Sequence, residues 1–138
     1  MTADNASPVD AFLAAVLEGS MASCPAWAPG AVLDATVPNW RFRRVGAPAI
    51  SAEYAGWFAD PGRFEELHRA PCPDGEVVEY LLTWVEKGVP HAAHHMHRFV
   101  VRDGKIVADT VMCGGRWPAS LLAEMAGAAL REESDVHA

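Results

Sequence analysis

The sequence predicts an α+β fold in which helices pack on one face of a curved antiparallel sheet. Helix-type spacing of apolar residues is confined to the start of the chain, a middle segment and the end. Three long strand-like runs, separated by Lys87-Gly88 and Asp103-Gly104, fill residues 75–115. Asp-Gly between apolar runs is a strong hairpin signal. Helices kept apart from a meander of strands are typical of α+β proteins.

The first helix is predicted to begin at Ser7-Pro8, because a hydroxyl N-cap followed by proline is a common helix start. Gly19 is its predicted end. Between them one apolar stripe has helical spacing: Val9, Phe12, Leu13, Val16 and Leu17. The segment CPAWAPG is predicted to be a short turn or a single helical turn, and AVLDATV and WRFRRV are predicted to be two strands separated by Pro38-Asn39.

A second helix follows Gly46 and ends before Asp60-Pro61-Gly62. Its apolar stripe is rich in aromatic residues: Ile50, Tyr54, Trp57 and Phe58. The segment RFEELHRA is a predicted strand. A final helix starts at Pro118 and has Leu121, Leu122 and Met125 on one face. We expect one domain over residues 1–138, with residues 1–6 and 131–138 frayed.

Composition excludes several classes of function. Hydrophobic residues make up 51% of the 138 residues and charged residues 21%, the balance of a folded globular protein. The net charge of -7 argues against nucleic acid or an anionic membrane as partner, since either needs a basic surface. The acidic N-terminus does not resemble a signal peptide. Three cysteines without CxxC spacing indicate reduced thiols, so we expect a cytoplasmic protein.

Strand register decides which side chains enter the core. We take both hairpins as two-residue turns, which pairs Tyr80 with His95, His97 with Thr110 and His95 with Met112. The face with almost no formal charge is assigned to the core: Val78, Tyr80, Leu82, Trp84, Ala93, His95, His97, Phe99, Val101, Ile106, Ala108, Thr110 and Met112. The opposite face is assigned to the outside: Val77, Glu79, Leu81, His94, Met96, Arg98, Val100, Val107, Asp109, Val111 and Cys113. A slip of one residue would reverse these faces.

The stretch HAAHHMHRFVV holds four of the six histidines and carries the candidate chemistry. His95 and His97 are predicted to point inward beside Tyr80, where an imidazole can act as general acid or base and the phenol can donate a hydrogen bond. The alternative is that both are core histidines whose hydrogen bonds are satisfied by Thr110, Tyr80 or water. His94 is predicted to point outward.

Other polar residues support weaker hypotheses. A metal site needs three or four converging ligands, but same-face residues of one strand lie about 6.6 Å apart, so no metal is predicted at His91, His95 and His97. Cys113 and His94 are predicted neighbours across the strands, an arrangement that suggests a nucleophile and its base. The simpler interpretation is that Cys113 is a small buried apolar residue near a dimer contact. Arg98 and Asp109 are predicted to form an ion pair across the strands. Asp34 is predicted to face either solvent or the pocket. Arg41, Arg43 and Arg44 are predicted to form a solvated face of their strand.

Several segments together resemble the nuclear transport factor 2-like superfamily and, within it, the SnoaL-like group. They are the N-terminal helix, PGAVLDATVPNW as first strand, GAPAISAEYAGWF as the following helix and RFVVRDGKIVADTVM as the closing hairpin. The resemblance spans Pro8 to Pro118. It implies a cystatin-like cone, in which the curved sheet wraps around the N-terminal helices and leaves an apolar pocket, with a C-terminal helix after it.

The resemblance does not select one activity, because the superfamily includes ketosteroid isomerase, scytalone dehydratase, limonene epoxide hydrolase, polyketide cyclases and non-catalytic proteins. Val37 stands where ketosteroid isomerase has its carboxylate base. Arg98 and Asp109 are the only cross-strand pair similar to part of the Asp–Arg–Asp cluster of limonene epoxide hydrolase. Scytalone dehydratase uses tyrosines, histidines and an aspartate. Residues of the first two types are present here, though not matched position by position: Tyr54, Tyr80, His95 and His97.

We therefore expect a cofactor-independent isomerase, cyclase, dehydratase or hydrolase acting on an apolar molecule that bears a carbonyl or epoxide, with His95, His97 and Tyr80 as catalytic residues. The expected substrate-binding residues are Trp40, Phe42, Tyr54, Trp57, Phe58, Trp84, Phe99, Thr110 and Met112. The alternative is a non-catalytic ligand-binding or dimerisation module of the same fold. A homodimer is expected through the apolar stripe on the outer face, Leu81, Met96, Val107 and Val111.

Overall fold

The computed structural model describes residues 7–137. The helices are α1 (Pro8–Glu18), α2 (Ala47–Trp57) and α3 (Ala119–His137), with a 3₁₀ turn at Met21–Ser23. The strands are β1 (Trp27–Val37), β2 (Trp40–Val45), β3 (Gly62–Cys72), β4 (Gly75–Glu86), β5 (Val89–Arg102), β6 (Lys105–Cys113) and β7 (Trp117–Pro118). Residues 1–6 and 138, predicted to be frayed, lie outside the described residues, whereas residues 131–137 are helical.

The start of α1 is the one predicted. The Ser7 hydroxyl accepts a hydrogen bond from the Asp10 N–H, and the Asp10 carboxylate accepts one from the Ser7 N–H. This reciprocal capping box satisfies two of the donors that a helix N-terminus leaves unpaired. Gly19 ends the helix at a φ of 69°, in the left-handed region that glycine adopts without steric cost.

The strands form one curved sheet in the order β2-β1-β6-β5-β4-β3, with the short β7 beside β5. The predicted α+β fold is confirmed. The sheet is nevertheless mixed rather than wholly antiparallel, because β1 runs parallel to β6. Between these two strands the chain forms β2, α2, β3, β4 and β5, a connection long enough to permit parallel pairing.

Both predicted hairpin turns are present. Lys87 and Gly88 have φ values of 50° and 77°, and Asp103 and Gly104 have 52° and 74°. Two consecutive positive φ angles are required by the type I′ turns that fit the twist of a hairpin. The pairs Glu86–Val89 and Arg102–Lys105 close the two turns, and Tyr80 pairs with His95, as predicted.

A β-bulge in β6 overturns part of the predicted register. Val101 pairs with Ile106 but Val100 pairs with Ala108, so Val107 is an extra residue on β6. The predicted pairs of His97 with Thr110 and of His95 with Met112 are therefore wrong. A bulge shifts all later residues by one position, which exchanges the two faces of the strand. Beyond Val107 the residues that point inward are Asp109, Val111 and Cys113.

The core lies between the concave face of the sheet and helices α1 and α2. Phe12 of α1 is fully buried at its centre. Its ring makes edge-to-face contacts, with centroid distances of 5.0–6.2 Å, to five other rings: Trp27, Tyr54, Phe58, His97 and Phe99. Such aromatic pairs add to the free energy gained from burial alone. This packing encloses His97 completely.

Candidate active site

A cavity of about 310 Å³ opens between α2, the inner face of β4 and β5, and the segment that follows β6. Its volume lies at the lower end of the range found for small-molecule sites. The described residues that line it are mostly apolar and none is acidic: Val37, Pro38, Gly56, Trp57, Phe58, Leu82, Trp84, Ala93, His95, Cys113, Gly115 and Arg116. The cavity therefore suits an apolar ligand that carries one or two polar groups.

His95 is the imidazole in the cavity wall, and it is 4% exposed. Its ring stacks on Trp57 at 5.6 Å and meets the edge of Phe58 at 5.6 Å. Burial, together with the neighbouring His97 and His94, lowers the pKa of His95 from 6.5 to about 3. Burial penalises the charged form of any histidine. The imidazole is therefore neutral at physiological pH.

The two nitrogens of His95 differ in their hydrogen bonding. Nε2 lies 3.1 Å from Sγ of Cys113, whose sulfur also accepts the N–H of Gly115 at 3.3 Å. Nδ1 has no hydrogen-bond partner among the described residues. A buried polar atom without a partner is uncommon in folded proteins and is a feature of functional sites. Nδ1 is thus a buried ring nitrogen whose hydrogen bond is not supplied by the part of the chain that the structure describes.

Cys113 faces inward, against the prediction that placed it outside beside His94, and the β6 bulge is the reason. Burial raises the pKa of the Cys113 thiol, although the Gly115 N–H and Arg116 partly oppose the rise. The group is therefore a thiol rather than a thiolate at neutral pH, and a thiol is a poor nucleophile. Its role in this geometry is to hold the His95 ring by a hydrogen bond.

Behind His95 lies a fully buried polar network. Nδ1 of His97 is 3.0 Å from Oδ1 of Asp109, and Nε2 of His97 is 2.8 Å from the Tyr80 hydroxyl. The Tyr54 hydroxyl donates to Oδ2 of Asp109 at 2.5 Å. If Nδ1 of His97 carries the proton, each of these groups has a partner. The four side chains link α2 to three strands of the sheet.

The two tyrosines of this network are held in their neutral form. Burial raises the pKa of the Tyr54 hydroxyl well above 10, and the negative charge of Asp109 raises it further. The same causes, burial first, raise the pKa of Tyr80. Both phenols consequently act as hydrogen-bond donors over the whole physiological range of pH.

Asp109 is the member of this network that the sequence prediction misplaced. It was expected on the outer face as the partner of Arg98, but it is 1% exposed and bonded to His97 and Tyr54. Arg98 does face outward, where its nearest carboxylate is that of Asp74 at 3.7 Å. An aspartate within an otherwise apolar segment (KIVADTVM) was the available signal, but the bulge that turns it inward has no clear sequence mark.

The orientation of the three central histidines is as predicted. His95 and His97 point into the core, whereas His94 points outward and its Nε2 lies 2.8 Å from a carboxylate oxygen of Glu79. Asp34 also faces outward and forms an ion pair with Arg41 at 2.6 Å, as alternation along β1 favours. Tyr80 bonds to His97 rather than to His95, its partner across the strands.

The predicted substrate-binding residues fall into three groups. Trp57, Phe58 and Trp84 line the cavity. Tyr54 and Phe99 are buried in the core beside it. The remaining four do not line it: Trp40 is 70% exposed, Phe42 packs at the edge of the core under Arg44, and the bulge turns Thr110 and the 53% exposed Met112 to the outer face.

Arg116 forms the polar rim of the cavity together with Trp84 and Glu86. The Arg116 guanidinium lies 5.3 Å from the centre of the Trp84 ring and forms an ion pair with Glu86. Glu86 also accepts the indole N–H of Trp84 at 3.2 Å. Both bonds lower the pKa of Glu86, the Trp84 bond most. These residues place a cation next to an apolar cavity.

Within residues 7–133, no group of three or more histidine, cysteine, aspartate or glutamate side chains could hold a metal ion. His91, the third histidine considered as a ligand, stacks on Trp84 at 5.5 Å. In the same part of the chain, no helix combines the length and the apolar character that crossing a bilayer requires. Location in the cytoplasm stays a prediction.

Comparison with known proteins was made by sequence and by structure. No family model and no curated protein matches the sequence. Among solved structures, a provisionally named isomerase from Bacillus subtilis matches with a TM-score of 0.64 and 21% identity, over 78% of this chain and 84% of its own. An NTF2-like protein of unknown function from Mesorhizobium loti matches with a TM-score of 0.59 and 22% identity, over 78% of this chain and 88% of its own. The chain has the NTF2-like cone fold.

Other structures with the NTF2-like fold carry names of enzymes. A provisionally named polyketide cyclase from Pseudomonas putida matches with a TM-score of 0.59 and 18% identity, over 80% of this chain and 90% of its own. Likeness at this level of identity establishes the fold and leaves the reaction open.

Proposed function

We propose that the protein is a cofactor-independent acid–base enzyme that acts on an apolar small molecule bearing a carbonyl or an epoxide, with His95 as the proton-transfer group. The observation that carries the proposal is the position of His95, a neutral imidazole in the wall of an apolar cavity with one ring nitrogen unpaired. The NTF2-like neighbours named as isomerases and polyketide cyclases support this class of reaction.

The chemistry follows from the environment of His95. A neutral imidazole can accept a proton from a carbon next to a carbonyl and return it to the same or another carbon. In the empty cavity the imidazolium is disfavoured by burial, but an enolate formed beside it would supply the missing counter-charge. The charged pair would then exist only while substrate is reacting. Isomerisation, aldol-type cyclisation and dehydration can begin with such a transfer, whereas for epoxide opening the imidazole would take a proton from the attacking water.

In this proposal His97 and Tyr80 are positioning residues. Neither belongs to the cavity wall, but the Tyr80 ring meets the His95 ring at 5.3 Å and the His97 ring lies 6.1 Å from it. His97 is hydrogen-bonded to both Tyr80 and Asp109, and Tyr54 holds Asp109 in turn, so these bonds fix both rings in place. Trp57 and Phe58 hold the opposite side of His95.

The experiment measures exchange of α-protons of 2-tetralone for deuterium by NMR, because this needs a base and no knowledge of the natural substrate. We expect the wild-type protein to accelerate exchange and His95→Gln to lose the acceleration by about 10²-fold or more, the usual contribution of a general base. The matched control is His94→Gln, since His94 precedes His95 in β5 but points outward. Equal rates in wild type and His95→Gln would contradict the proposal.

The second candidate is a ligand-binding module without catalysis. The specific observation in its favour is the low pKa of His95, because a weak base is a poor proton acceptor. On this alternative the neutral imidazole and the Cys113 thiol only hydrogen-bond a bound molecule. Binding of 2-tetralone that is weakened by His95→Gln, with no exchange above the buffer rate, would favour the binding module over the enzyme.

A further inference from the structure

Among the described residues that line the cavity, Arg116 is the one with a formal charge, and it is a cation. Arg116 follows Gly114-Gly115 in the segment between β6 and β7. Gly115 has a φ of 111°, a backbone conformation that L-residues other than glycine rarely adopt. This turn directs the chain so that Arg116 lies over Trp84 and lines the cavity. The protein as a whole has a net charge of -7, so Arg116 is a local positive charge on a protein that is negative overall.

Arg116 retains hydrogen-bonding capacity beyond its ion pair. A guanidinium has five N–H donors, and the recorded side-chain hydrogen bond of Arg116 uses Nη2 with one oxygen of Glu86. The side chain is half-exposed. The same Glu86 oxygen accepts the Trp84 indole N–H, which holds the carboxylate at the rim. Further donors of Arg116 are therefore accessible to a second acceptor.

We propose that the cavity selects amphipathic anions, that is, molecules with an apolar body for the aromatic interior and a carboxylate for Arg116. This inference rests on the proposed function, which it makes more specific by naming the substrate class. Arginine is suited to a carboxylate because its planar fork can donate two parallel hydrogen bonds. Glu86 competes for the same guanidinium, so it weakens binding of the anion while keeping Arg116 in place.

The experiment compares two probes of nearly the same shape, 2-naphthoate and 2-naphthamide, by isothermal titration calorimetry. We expect wild-type protein to bind the acid about tenfold more tightly than the amide, a ratio typical of one charge-assisted hydrogen bond at a partly exposed site. Arg116→Gln should reduce the ratio to about one by weakening the acid alone. Arg98→Gln is the matched control, because Arg98 is exposed on the outer face of the sheet. It should leave the ratio unchanged.

A second variant tests whether Glu86 and the bound anion compete for the Arg116 guanidinium. Glu86→Gln removes the negative charge but keeps a hydrogen-bond acceptor for Trp84, so it should tighten binding of the acid severalfold and leave the amide unaffected. A residue that only shaped the rim would not produce a gain of affinity restricted to the anion.

The outcomes separate the two proposals. Equal affinity of acid and amide for wild-type protein, or an undiminished ratio in Arg116→Gln, would overturn the assignment of Arg116 and leave the cavity as a neutral-ligand site. Failure of both probes to bind wild-type protein at millimolar concentration would count against the cavity as a ligand site and so against both proposals.

Discussion

His95 is neutral in the folded protein because aromatic rings and the Cys113 thiol surround it in place of water. The unfolded chain exposes the same imidazole, whose pKa is then near 6.5. Below that pH the unfolded state therefore binds a proton that the folded state rejects until about pH 3. Because the unfolded state binds more protons in this window, the free energy of unfolding falls as the pH drops through it. Above the window His95 has no effect on the free energy of unfolding.

We therefore predict that His95→Gln reduces the acid sensitivity of the protein. Between about pH 6 and pH 4, His95 alone should cost the wild-type protein up to about 1.4 kcal/mol of unfolding free energy per pH unit. Urea unfolding at several pH values measures the unfolding free energy of each protein. The readout is the difference in unfolding free energy between wild type and variant. The difference should shrink steadily as the pH falls. A constant difference from pH 8 to pH 4 would show that His95 titrates normally in the folded state.

Individual residues also mark the limit of what sequence could predict about the site. The inward direction of His95 and His97 was predicted from alternation and from the Asp103-Gly104 turn. Alternation gave the correct faces in β5, although the cross-strand pairs expected from that turn are wrong. The inward direction of Asp109 was not predicted, because it depends on one extra residue, Val107, and on pairing with the distant strand β1. Asp109 satisfies two buried donors, and only tertiary structure brings those donors together.

At the scale of elements, the bulge in β6 coincides with a break in the neighbouring strand. The pairing of β1 with β6 shifts between Trp27 and Val32, opposite the same part of β6. Ile106 donates its N–H to the Ala26 carbonyl there, and Val101 of β5 donates to the Asp74 carbonyl. The helices, hairpins and strand order are products of local patterns. Bulges are set by how neighbouring strands meet, which explains why the register beyond Val107 was mispredicted.

The start of β4 provides a test of how closely the strands are packed. A Cβ atom added to Gly75 would lie 1.8 Å from the Phe99 carbonyl oxygen, whereas one added to Gly30 would meet nothing within 4 Å. Backbone cannot move aside as a flexible side chain can. Gly75 is therefore required where β4 crosses β5, close to the bulge.

We predict that Gly75→Ala lowers the free energy of unfolding by at least about 2 kcal/mol, because overpacking against backbone forces the strands apart. Chemical denaturation followed by tryptophan fluorescence measures the loss. Gly30→Ala is the matched control, since it also adds one methyl group to a strand, and it should change stability by less than about 0.5 kcal/mol. Similar stability of the two variants would mean that β4 and β5 separate more easily than their geometry indicates.

At the scale of the whole molecule, the outer face of the sheet has an apolar centre that was only partly predicted. Met96 is 46% exposed and Met112 53% exposed, and the two are paired across β5 and β6. Val111, expected on this face, is instead fully buried because of the bulge. Exposed apolar patches of this kind are typical of protein interfaces.

Charged residues flank the two methionines on opposite sides, and each is paired within the chain, Arg41 with Asp34 and Glu79 with His94. On the side of β1 and β2, Arg41 lies beside Thr36, next to Met112, whereas on the side of β4, Glu79 lies next to Met96. A second copy related by a twofold axis parallel to the central strands would bring Met112 over the partner's Met96. The same rotation would bring the arginine-bearing edge over the edge that carries Glu79. Isologous contacts of this type close into a dimer.

We predict a homodimer through this face, and a charge exchange tests it. Met112→Lys and Met96→Glu should each shift the protein towards monomer in sedimentation velocity at micromolar concentration, because each places two buried charges in an apolar interface. In the double variant every lysine at 112 would face a glutamate at 96 of the other copy, so dimerisation should be partly restored. Leu130→Glu, on the exposed surface of α3, is the control that should not alter assembly. A wild-type monomer at these concentrations, or single variants that remain as dimeric as wild type, would rule out this face.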